Sequence, residues 1–383
     1  MVKQISHKQL SEVIEQYYNT KDREGRKNAL IVYGSFGLGK SAVIRQKAKA
    51  IAESKDKEFR EWNRQKNKGR AEIFDNPEKF FVLMDIRLSE YDSSDIKGLP
   101  DFKDGRDSIE FKPPYWATFL ELENSDGILL FDEINLATPL VISSVYKIIY
   151  DRVINGGKIN DDWLIIGCGN LDTDRAYTTE LVPPVRDRGG EVELLNPSVD
   201  DWTEWAVENG ICKEIIGFVN FKPSTLHRVD FSDNQKYTTE RGWERTNTLI
   251  QNIIGDYKKL GLIVGTAISE GISKEFVAFC KLKDVVDLDK VVANPKLFAS
   301  ITDIGVRYFV TTSIAEQYKE KKLNFDKVAD ISYELDLINS KEFVTLLWRM
   351  CRKYDTKRFD KDFIGSKNPI HQELGSRYGQ YLL

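Results

Sequence analysis

The stretch Gly34-Ser35-Phe36-Gly37-Leu38-Gly39-Lys40-Ser41 constrains this 383-residue chain more than any other feature. Its spacing is G-x-x-x-x-G-K-[ST], and it stands between an apolar run at 29–33 and a helical pattern at 42–52. Glycines let the main chain curl so that successive N–H groups face an anion, and the next helix adds the positive end of its dipole. Lys40 suits the β- and γ-phosphates of a nucleotide, and the Ser41 hydroxyl suits Mg²⁺. We therefore predict that residues 34–41 form a phosphate-binding loop.

Composition limits the class of protein. With 41% hydrophobic and 30% charged residues, the chain is typical of soluble globular proteins, and its length suggests two or three domains. A net charge of −4 gives no electrostatic footprint for nucleic acid, so we expect no such partner. The four scattered cysteines are interpreted as buried thiols in a reducing compartment. No apolar run is long enough to span a bilayer, and the N-terminus lacks a signal-peptide core, so we expect a cytoplasmic protein.

Strand and helix patterns alternate through the first half of the chain, which predicts an α/β fold with a parallel sheet and helices on both faces. The predicted strands are residues 29–33, 80–85, 127–131, 163–168 and 190–195. The charged stretch at 55–70 is interpreted as a solvated extension of the helix after the loop, with a basic patch for a partner as the alternative. Asn196-Pro197 is the predicted domain boundary, and the patterns beyond it are mainly helical, including one helix over 240–258.

A second motif follows the third predicted strand. Asp132 comes directly after the apolar run 128–131, where it can hold Mg²⁺ through the waters of the ion. Glu133, one residue later, can polarise a water molecule for attack on a γ-phosphate, because a carboxylate accepts the proton of the water that it orients. Ligands of parallel sheets bind at the carboxyl ends of the strands, so we expect Asp132, Glu133, Asn170 and the phosphate-binding loop to meet at one edge.

These motifs together resemble the AAA+ ATPases, and more closely their MoxR-like branch. The resemblance covers about residues 30–281. The matching stretches, in order, are Gly34–Ser41, Gly98–Pro100, Asp132–Asn135 with Ala137 and Pro139, Asp151-Arg152, Gly169-Asn170, Pro184–Arg188, Asp201-Trp202 with Trp205-Ala206, and Arg241–Glu244. It implies a five-stranded sheet in the order 5-1-4-3-2 within a nucleotide-binding domain at 1–196, a helical lid at 197–293 and a helical C-terminal extension at 294–383.

The resemblance also assigns roles to polar residues outside the two motifs. Asn170 looks like the sensor 1 residue that helps to hold the attacking water. Arg188 looks like the arginine finger that reaches the ATP of a neighbouring subunit, and Arg186 is the alternative, because Gly189-Gly190 follows where the family has a large apolar residue. Arg241 looks like the sensor 2 arginine of the lid; a structural salt bridge is its alternative role.

The activity implied by the resemblance is hydrolysis of ATP with Mg²⁺ by a ring of this chain, with six subunits expected. MoxR-like proteins remodel or activate protein partners, often a von Willebrand factor A protein, so a chaperone-like role is the first expectation. A McrB-like NTPase or nucleic-acid motor is the alternative, since proteins of that group share the sequence pattern formed here by Asn170, Asp174 and Arg175. A nucleotide-dependent scaffold without turnover is a further alternative, against which Glu133 argues.

Overall fold

A computed structural model describes residues 2–101, 110–171, 174, 189–229, 236–366 and 368–382. The chain divides into two compact units, Met1–Asn196 and Pro197–Leu383. The predicted boundary between a lid and a C-terminal extension, at 293 and 294, falls inside the second unit.

The first unit is built on a parallel sheet. Seven strands of the described residues join it: β1 (Lys3–Ile5), β2 (Leu30–Tyr33), β3 (Glu58–Glu61), β4 (Phe80–Arg87), β7 (Gly127–Asp132), β10 (Trp163–Gly169) and β11 (Gly190–Leu194). Their order across the sheet is β1-β11-β2-β10-β7-β4-β3, and every pair is parallel.

The predicted α/β fold class is confirmed, and the predicted count of five strands is wrong. The five predicted strands are β2, β4, β7, β10 and β11, and they lie in the expected order 5-1-4-3-2. The two additional strands, β1 and β3, close the edges of the sheet. β3 lies within the stretch interpreted as a solvated helix; its sequence Glu-Phe-Arg-Glu carries one apolar residue. An edge strand is held by main-chain hydrogen bonds on one side, so its side chains need not form an apolar pattern.

Helices cover both faces of this sheet. The α-helices in the described part of the first unit are α1 (His7–Asn19), α2 (Lys40–Ser54), α3 (Asn67–Asp75), α4 (Ser93–Lys97), α5 (Tyr115–Leu120) and α6 (Pro139–Asp151). Side chains of β2 alternate between the two faces: Leu30 and Val32 join the core formed with α1 and α2, whereas Ile31 joins the core formed with α5 and α6. The alternation is the period of two that a strand buried on both faces requires.

Two small hairpins extend from the first unit. β5 (Leu99–Asp101) pairs with β6 (Glu110–Lys112), and β8 (Val153–Ile154) pairs with β9 (Gly157–Lys158). The side-chain amide of Asn155, at the turn of the second hairpin, donates to the carbonyl oxygen of Lys97, the last residue of α4. The second hairpin is therefore joined to the helix that leads into the first hairpin.

The second unit is helical over its described residues and has one continuous core. Its α-helices are Val199–Glu208, Lys213–Phe221, Glu240–Ile250, Tyr257–Ala267, Glu270–Cys280, Leu288–Ala293, Lys296–Ser300, Ile304–Lys319, Phe325–Leu337, Lys341–Tyr354, Thr356–Ile364 and Pro369–Tyr378. The single helix predicted over 240–258 is wrong, because the chain turns between Ile250 and Tyr257 and the Asp256 side chain caps the next helix. The four cysteines are free thiols.

Candidate functional site

The predicted phosphate-binding loop, Gly34–Ser41, connects β2 to α2. Gly37 and Gly39 have φ angles of +82° and +81°, in the left-handed region that side chains disfavour. Helix α2 begins at Lys40, and its N-cap residue Gly39 offers no side-chain hydrogen bond to the first turn. The N–H groups of that turn have no side-chain cap, the arrangement in which a helix N-terminus binds an anion.

Side chains of the loop are already engaged within the chain. The Ser35 hydroxyl donates to Asp174 Oδ1 at 2.8 Å, and Leu38 is buried in the core of the α1–α2 face. Phe36 is half-buried. Ser35 and Leu38 would therefore meet a ligand through their main chain, as a phosphate-binding loop requires.

Lys40 lies inside the curve of the loop. Its Nζ donates to the carbonyl oxygens of Gly34 at 2.6 Å and Ser35 at 3.0 Å, and to Asn170 Oδ1 at 3.2 Å. Because Asn170 follows β10, which pairs with β2, the predicted loop lysine and the predicted sensor 1 residue lie together. An ammonium group in this position can neutralise phosphate oxygens held by the loop.

Ser41 and Asp132 form the predicted metal pair. The Ser41 hydroxyl donates to Asp132 Oδ2 at 2.7 Å, which joins the first turn of α2 to the end of β7. A hydroxyl and a carboxylate are oxygen ligands that suit Mg²⁺. No group of three His, Cys, Asp or Glu side chains in the described residues could hold a metal by itself. The pair fits an ion that takes its other ligands from nucleotide phosphates and water.

Glu133 stands next to this pair in a constrained conformation. Its φ is +57°, and its N–H donates to Asp132 Oδ1 at 2.9 Å. Its carboxylate accepts a hydrogen bond from the Ser89 hydroxyl and lies 3.8 Å from Arg87 Nε. The side chain is 34% exposed, so it is fixed in direction and still accessible to water. These contacts hold the Glu133 carboxylate in a direction from which it could orient a nucleophilic water.

No motif in the sequence pointed to Ser89 or Arg87 as partners of Glu133. Both follow from the register of the sheet, since Arg87 on β4 lies opposite Asp132 on β7. Ligands of parallel sheets bind at the carboxyl ends of the strands, which is why Asp132, Asn170 and the loop were grouped. The end of β4 could have been added to that group for the same reason.

A reciprocal pair of asparagines orients Asn170. The Asn135 amide donates to the Asn170 carbonyl oxygen at 2.8 Å, and the Asn170 N–H donates to Asn135 Oδ1 at 2.9 Å. Asn135 is 3% exposed, so its amide is held by the protein rather than by solvent. Asn135 belongs to the stretch Asp132–Asn135 that supports the resemblance, but its position in the sequence did not predict this role.

Asp85 adds a third carboxylate at this edge. Burial raises the pKa of Asp85 to about 6, and the negative charge of Asp132 acts in the same direction. Arg45 on α2 offsets part of this effect, with its Nη2 3.7 Å from Asp85 Oδ2. A divalent cation beside Asp132 would reduce the repulsion between these two carboxylates.

The N-terminal helix contacts the site from the other side of the loop. His7 Nε2 donates to the Leu38 carbonyl oxygen at 2.7 Å. Farther along α1, the Tyr17 hydroxyl occupies the space into which a Cβ at Gly190 would project. The helix therefore explains why a glycine stands at 190. No sequence pattern pointed to either contact.

Three predicted residues lie outside the described part of the first unit. Arg188 and its alternative Arg186 lie outside the described residues. Arg241 lies in the first turn of the helix Glu240–Ile250, in the second unit. Their predicted roles stay predictions.

Comparisons with known proteins give distant similarities. No protein-family model and no curated protein matches the chain. Hsp104 in a closed-state reconstruction with ATPγS and FITC casein is 16% identical with a TM-score of 0.36, over 65% of this chain and 42% of that one. The ORC2 protein of Aeropyrum pernix, in ADPNP and ADP complexes, is 12% identical with a TM-score of 0.34, over 90% of this chain and 93% of that one. NtrX of Brucella abortus, in complex with ADP, is 12% identical with a TM-score of 0.30, over 98% of this chain and 68% of that one.

The chain spans less than half of the length of the Hsp104 chain. At such low identity and TM-score, these similarities carry no inference about activity, substrate or assembly. Across the described residues, every helix is too short or too polar to cross a membrane.

Proposed function

We propose that this chain is an ATP-hydrolysing AAA+ protein of the MoxR-like type. The observation that carries the proposal is the hydrogen bond of 2.7 Å between Ser41 and Asp132, which joins the phosphate-binding loop to the carboxylate motif. Lys40, Glu133 and Asn170 lie around this bond at the same edge of the sheet. Their combination suits phosphoryl transfer, in which positioning and charge neutralisation provide most of the catalysis.

In this proposal each residue has one task. Main-chain N–H groups of Gly34–Ser41 hold the phosphates, and Lys40 moves its hydrogen bonds from loop carbonyls to phosphate oxygens. Ser41 and Asp132 hold Mg²⁺, which when bound neutralises the charge of the phosphates. Glu133 orients a water and accepts its proton, while Ser89 and Arg87 fix the direction of its carboxylate. Asn170 positions the same water from β10.

We also propose that the site is completed by a second copy of the chain in a ring, with six copies expected. Arg188 would supply the positive charge that stabilises the transition state at a neighbouring subunit. Arg241 would contact the γ-phosphate from the subunit that binds it. The support is the resemblance of residues 184–188 and 241–244 to the finger and sensor 2 segments of the family.

A mixing experiment tests catalysis between subunits. Glu133→Gln and Arg188→Ala subunits should each be inactive, and a mixture should regain activity, because some interfaces then combine an intact Glu133 with an intact Arg188. Two affinity tags purify the mixed assemblies. If proven mixed assemblies stay inactive, catalysis between subunits is contradicted. The same mixture with Arg186→Ala decides between the two candidate fingers.

The work done by ATP hydrolysis is proposed to be remodelling of a protein partner, with a von Willebrand factor A protein as the first candidate. The Glu133→Gln variant should hold both ATP and the partner, since it binds without turnover. A partner that co-purifies only in the presence of ATP and is released by ADP supports the proposal. Stimulation of turnover by DNA, with a steep dependence on salt, would contradict it and indicate the nucleic-acid alternative.

A further inference from the structure

The first residue of helix α1 contacts the phosphate-binding loop from outside. The Nε2 atom of His7 lies 2.7 Å from the Leu38 carbonyl oxygen. A carbonyl oxygen only accepts hydrogen bonds, so the ring nitrogen that meets it carries a proton. The other ring nitrogen, Nδ1, is buried and meets no hydrogen-bond partner among the described residues. These surroundings suit the neutral ring with its proton on Nε2, because a proton on Nδ1 would have no acceptor.

This hydrogen bond sets the direction of one peptide unit of the loop. The peptide bond between Leu38 and Gly39 is trans. In a trans peptide, the C=O of one residue and the N–H of the next residue point in opposite directions. Because the Leu38 C=O points at the start of α1, the Gly39 N–H points away from α1. Main-chain N–H groups of such a loop are the donors that hold a phosphate.

The residues around this peptide unit are glycines, which restrain the main chain least. Gly37 and Gly39 stand on either side of Leu38, with φ angles of +82° and +81°. Rotation of the peptide unit could turn the Gly39 N–H away from a ligand while the buried Leu38 side chain stays in place. A hydrogen bond to the Leu38 carbonyl oxygen opposes that rotation.

His7 is itself held by an ordered part of the first unit. Strand β1 ends at Ile5, which lies opposite Leu194 of β11, and β11 pairs with β2, the strand that leads into the loop. Ser6 and Gln9 form a capping box at the start of α1, which fixes the direction in which the helix leaves the strand. The His7 ring therefore has a fixed position relative to the loop, as a residue that positions other groups requires.

We propose that His7 is a positioning residue for nucleotide binding. Its hydrogen bond holds the Leu38 carbonyl toward α1, which keeps the Gly39 N–H directed at the phosphates of a bound nucleotide. His7 does not touch the ligand and acts through the peptide unit between Leu38 and Gly39. The inference rests on the proposed function, in that the anion held by the loop is the phosphate chain of ATP or ADP.

The proposal predicts a loss of affinity without a matching loss of rate. Glu133, which acts on the attacking water, is held by Ser89 and Arg87 and not by α1. A variant without the His7 donor should therefore need more ATP to reach its full rate, and its rate at saturating ATP should change by less than about twofold.

Binding of a fluorescent ADP analogue in the presence of Mg²⁺ tests the proposal in the full chain. His7→Leu keeps an apolar side chain of similar size but removes the donor, and it should weaken binding by about fivefold. His7→Gln places an amide N–H near the position of Nε2, and its affinity should stay within about twofold of the wild type. The matched control is Gln16→Ala, which removes an exposed neutral side chain from the same helix and should leave affinity unchanged. Thermal unfolding of each variant shows that it is folded.

Nitrogen NMR of the chain with isotopically labelled histidine tests the tautomer. The chain has three histidines, so the signals of His7 are identified by their loss in His7→Gln. Nε2 should be protonated, both in the free chain and with ADP and Mg²⁺ bound, since the same hydrogen bond holds the loop in both states. An Nε2 without a proton would overturn the proposal, because the Leu38 carbonyl would then have no donor.

The results separate this inference from the proposed function. Equal ADP affinity in His7→Leu and Gln16→Ala overturns the positioning role, and so does an affinity of His7→Gln as low as that of His7→Leu. If these results are obtained with a chain that hydrolyses ATP, this inference alone fails. A chain whose ADP affinity depends on the His7 donor but that does not hydrolyse ATP supports this inference and overturns the proposed ATPase activity. A chain that binds neither ADP nor ATP overturns both.

Discussion

The carboxyl edge and the amino edge of the central sheet carry the same kinds of residue in different arrangements. At the carboxyl edge, Lys40 donates to carbonyl oxygens of its own loop, and Asp132 accepts from Ser41. At the amino edge, Asp126 precedes β7 and is 3% exposed; its Oδ2 accepts from Lys55 at 2.6 Å and from Lys57 at 3.1 Å. Its other oxygen accepts from the Tyr18 hydroxyl at 2.6 Å.

The charges of the amino edge are balanced within the chain. Burial works against the charged form of Asp126, yet hydrogen bonds from Lys55 and Tyr18 lower its pKa below the ordinary value. Lys27 donates to the Asp162 carbonyl oxygen and lies 3.9 Å from the centre of the Tyr18 ring. A network satisfied in this way stabilises the fold and offers little to a ligand.

The difference teaches that residue type alone does not mark a site in this molecule. What separates the two edges is the direction of the strands and the conformation of the loops that leave them. The carboxyl edge has glycines with positive φ and the N-terminus of helix α2, which has no side-chain cap. Main-chain N–H groups therefore point there into a space that suits an anion. The following predictions test this contrast.

The largest expected effect is on nucleotide binding at the carboxyl edge. Lys40→Ala should weaken binding of a fluorescent ATP analogue by about 100-fold or more, because the loop loses the charge that neutralises the phosphates. The matched control is Lys49→Ala, which removes an exposed lysine from the same helix and should leave affinity unchanged. Equal affinity in Lys40→Ala and Lys49→Ala would contradict the role of the loop.

The next effect concerns stability and belongs to the amino edge. Asp126→Ala should lower the free energy of unfolding by about 3 kcal/mol, since Lys55, Lys57 and Tyr18 lose a buried partner. Urea unfolding measures the change, and nucleotide affinity of the folded variant should be retained. Asp162→Ala, at a side chain 47% exposed, should cost about 1 kcal/mol or less. If Asp126→Ala lowers nucleotide affinity without a loss of stability, the amino edge is not the structural network described above.

The smallest effect is a pH dependence of stability. Burial lowers the pKa of Lys27 from an ordinary 10.5 to about 8. Between these values the unfolded chain binds the proton more tightly than the folded chain, so this lysine makes the free energy of unfolding rise as pH increases from 8 toward 10. Lys27→Met removes this contribution, which amounts to about 2 kcal/mol between pH 8 and pH 10. Urea unfolding of the wild type and of Lys27→Met, measured across this pH range, gives the dependence of the free energy of unfolding on pH for each protein. The same dependence in both proteins would contradict the prediction.

Much of the fold followed from the sequence because long apolar strands alternate with helical patterns. β2, β4, β7, β10 and β11 were predicted as strands, and their order followed from the resemblance. β1 and β3 could not be predicted, since three or four residues at an edge are held mainly by main-chain hydrogen bonds. The break between Ile250 and Tyr257 escaped detection because Ile253 and Ile254 continue the helical spacing of apolar residues through the turn.

The candidate site was predictable where a motif sits at a strand end, as for Lys40, Ser41, Asp132, Glu133 and Asn170. Residues that act through tertiary contacts were not. Ser89 reaches Glu133, and His7 reaches the loop carbonyl of Leu38, from segments distant in sequence. Side-chain hydrogen bonds of this kind depend on the register between strands and on the docking of helices, and neither leaves a periodic pattern.

The most direct test of the central claim is phosphate release from ATP and Mg²⁺ by the wild-type chain and by Glu133→Gln, with ATP affinity measured on both. The account predicts steady turnover by the wild type, and in Glu133→Gln a loss of about 100-fold or more with ATP affinity retained, because the carboxylate orients and deprotonates the attacking water. Turnover in Glu133→Gln equal to that of the wild type, or a wild-type chain that binds no nucleoside triphosphate, would contradict it.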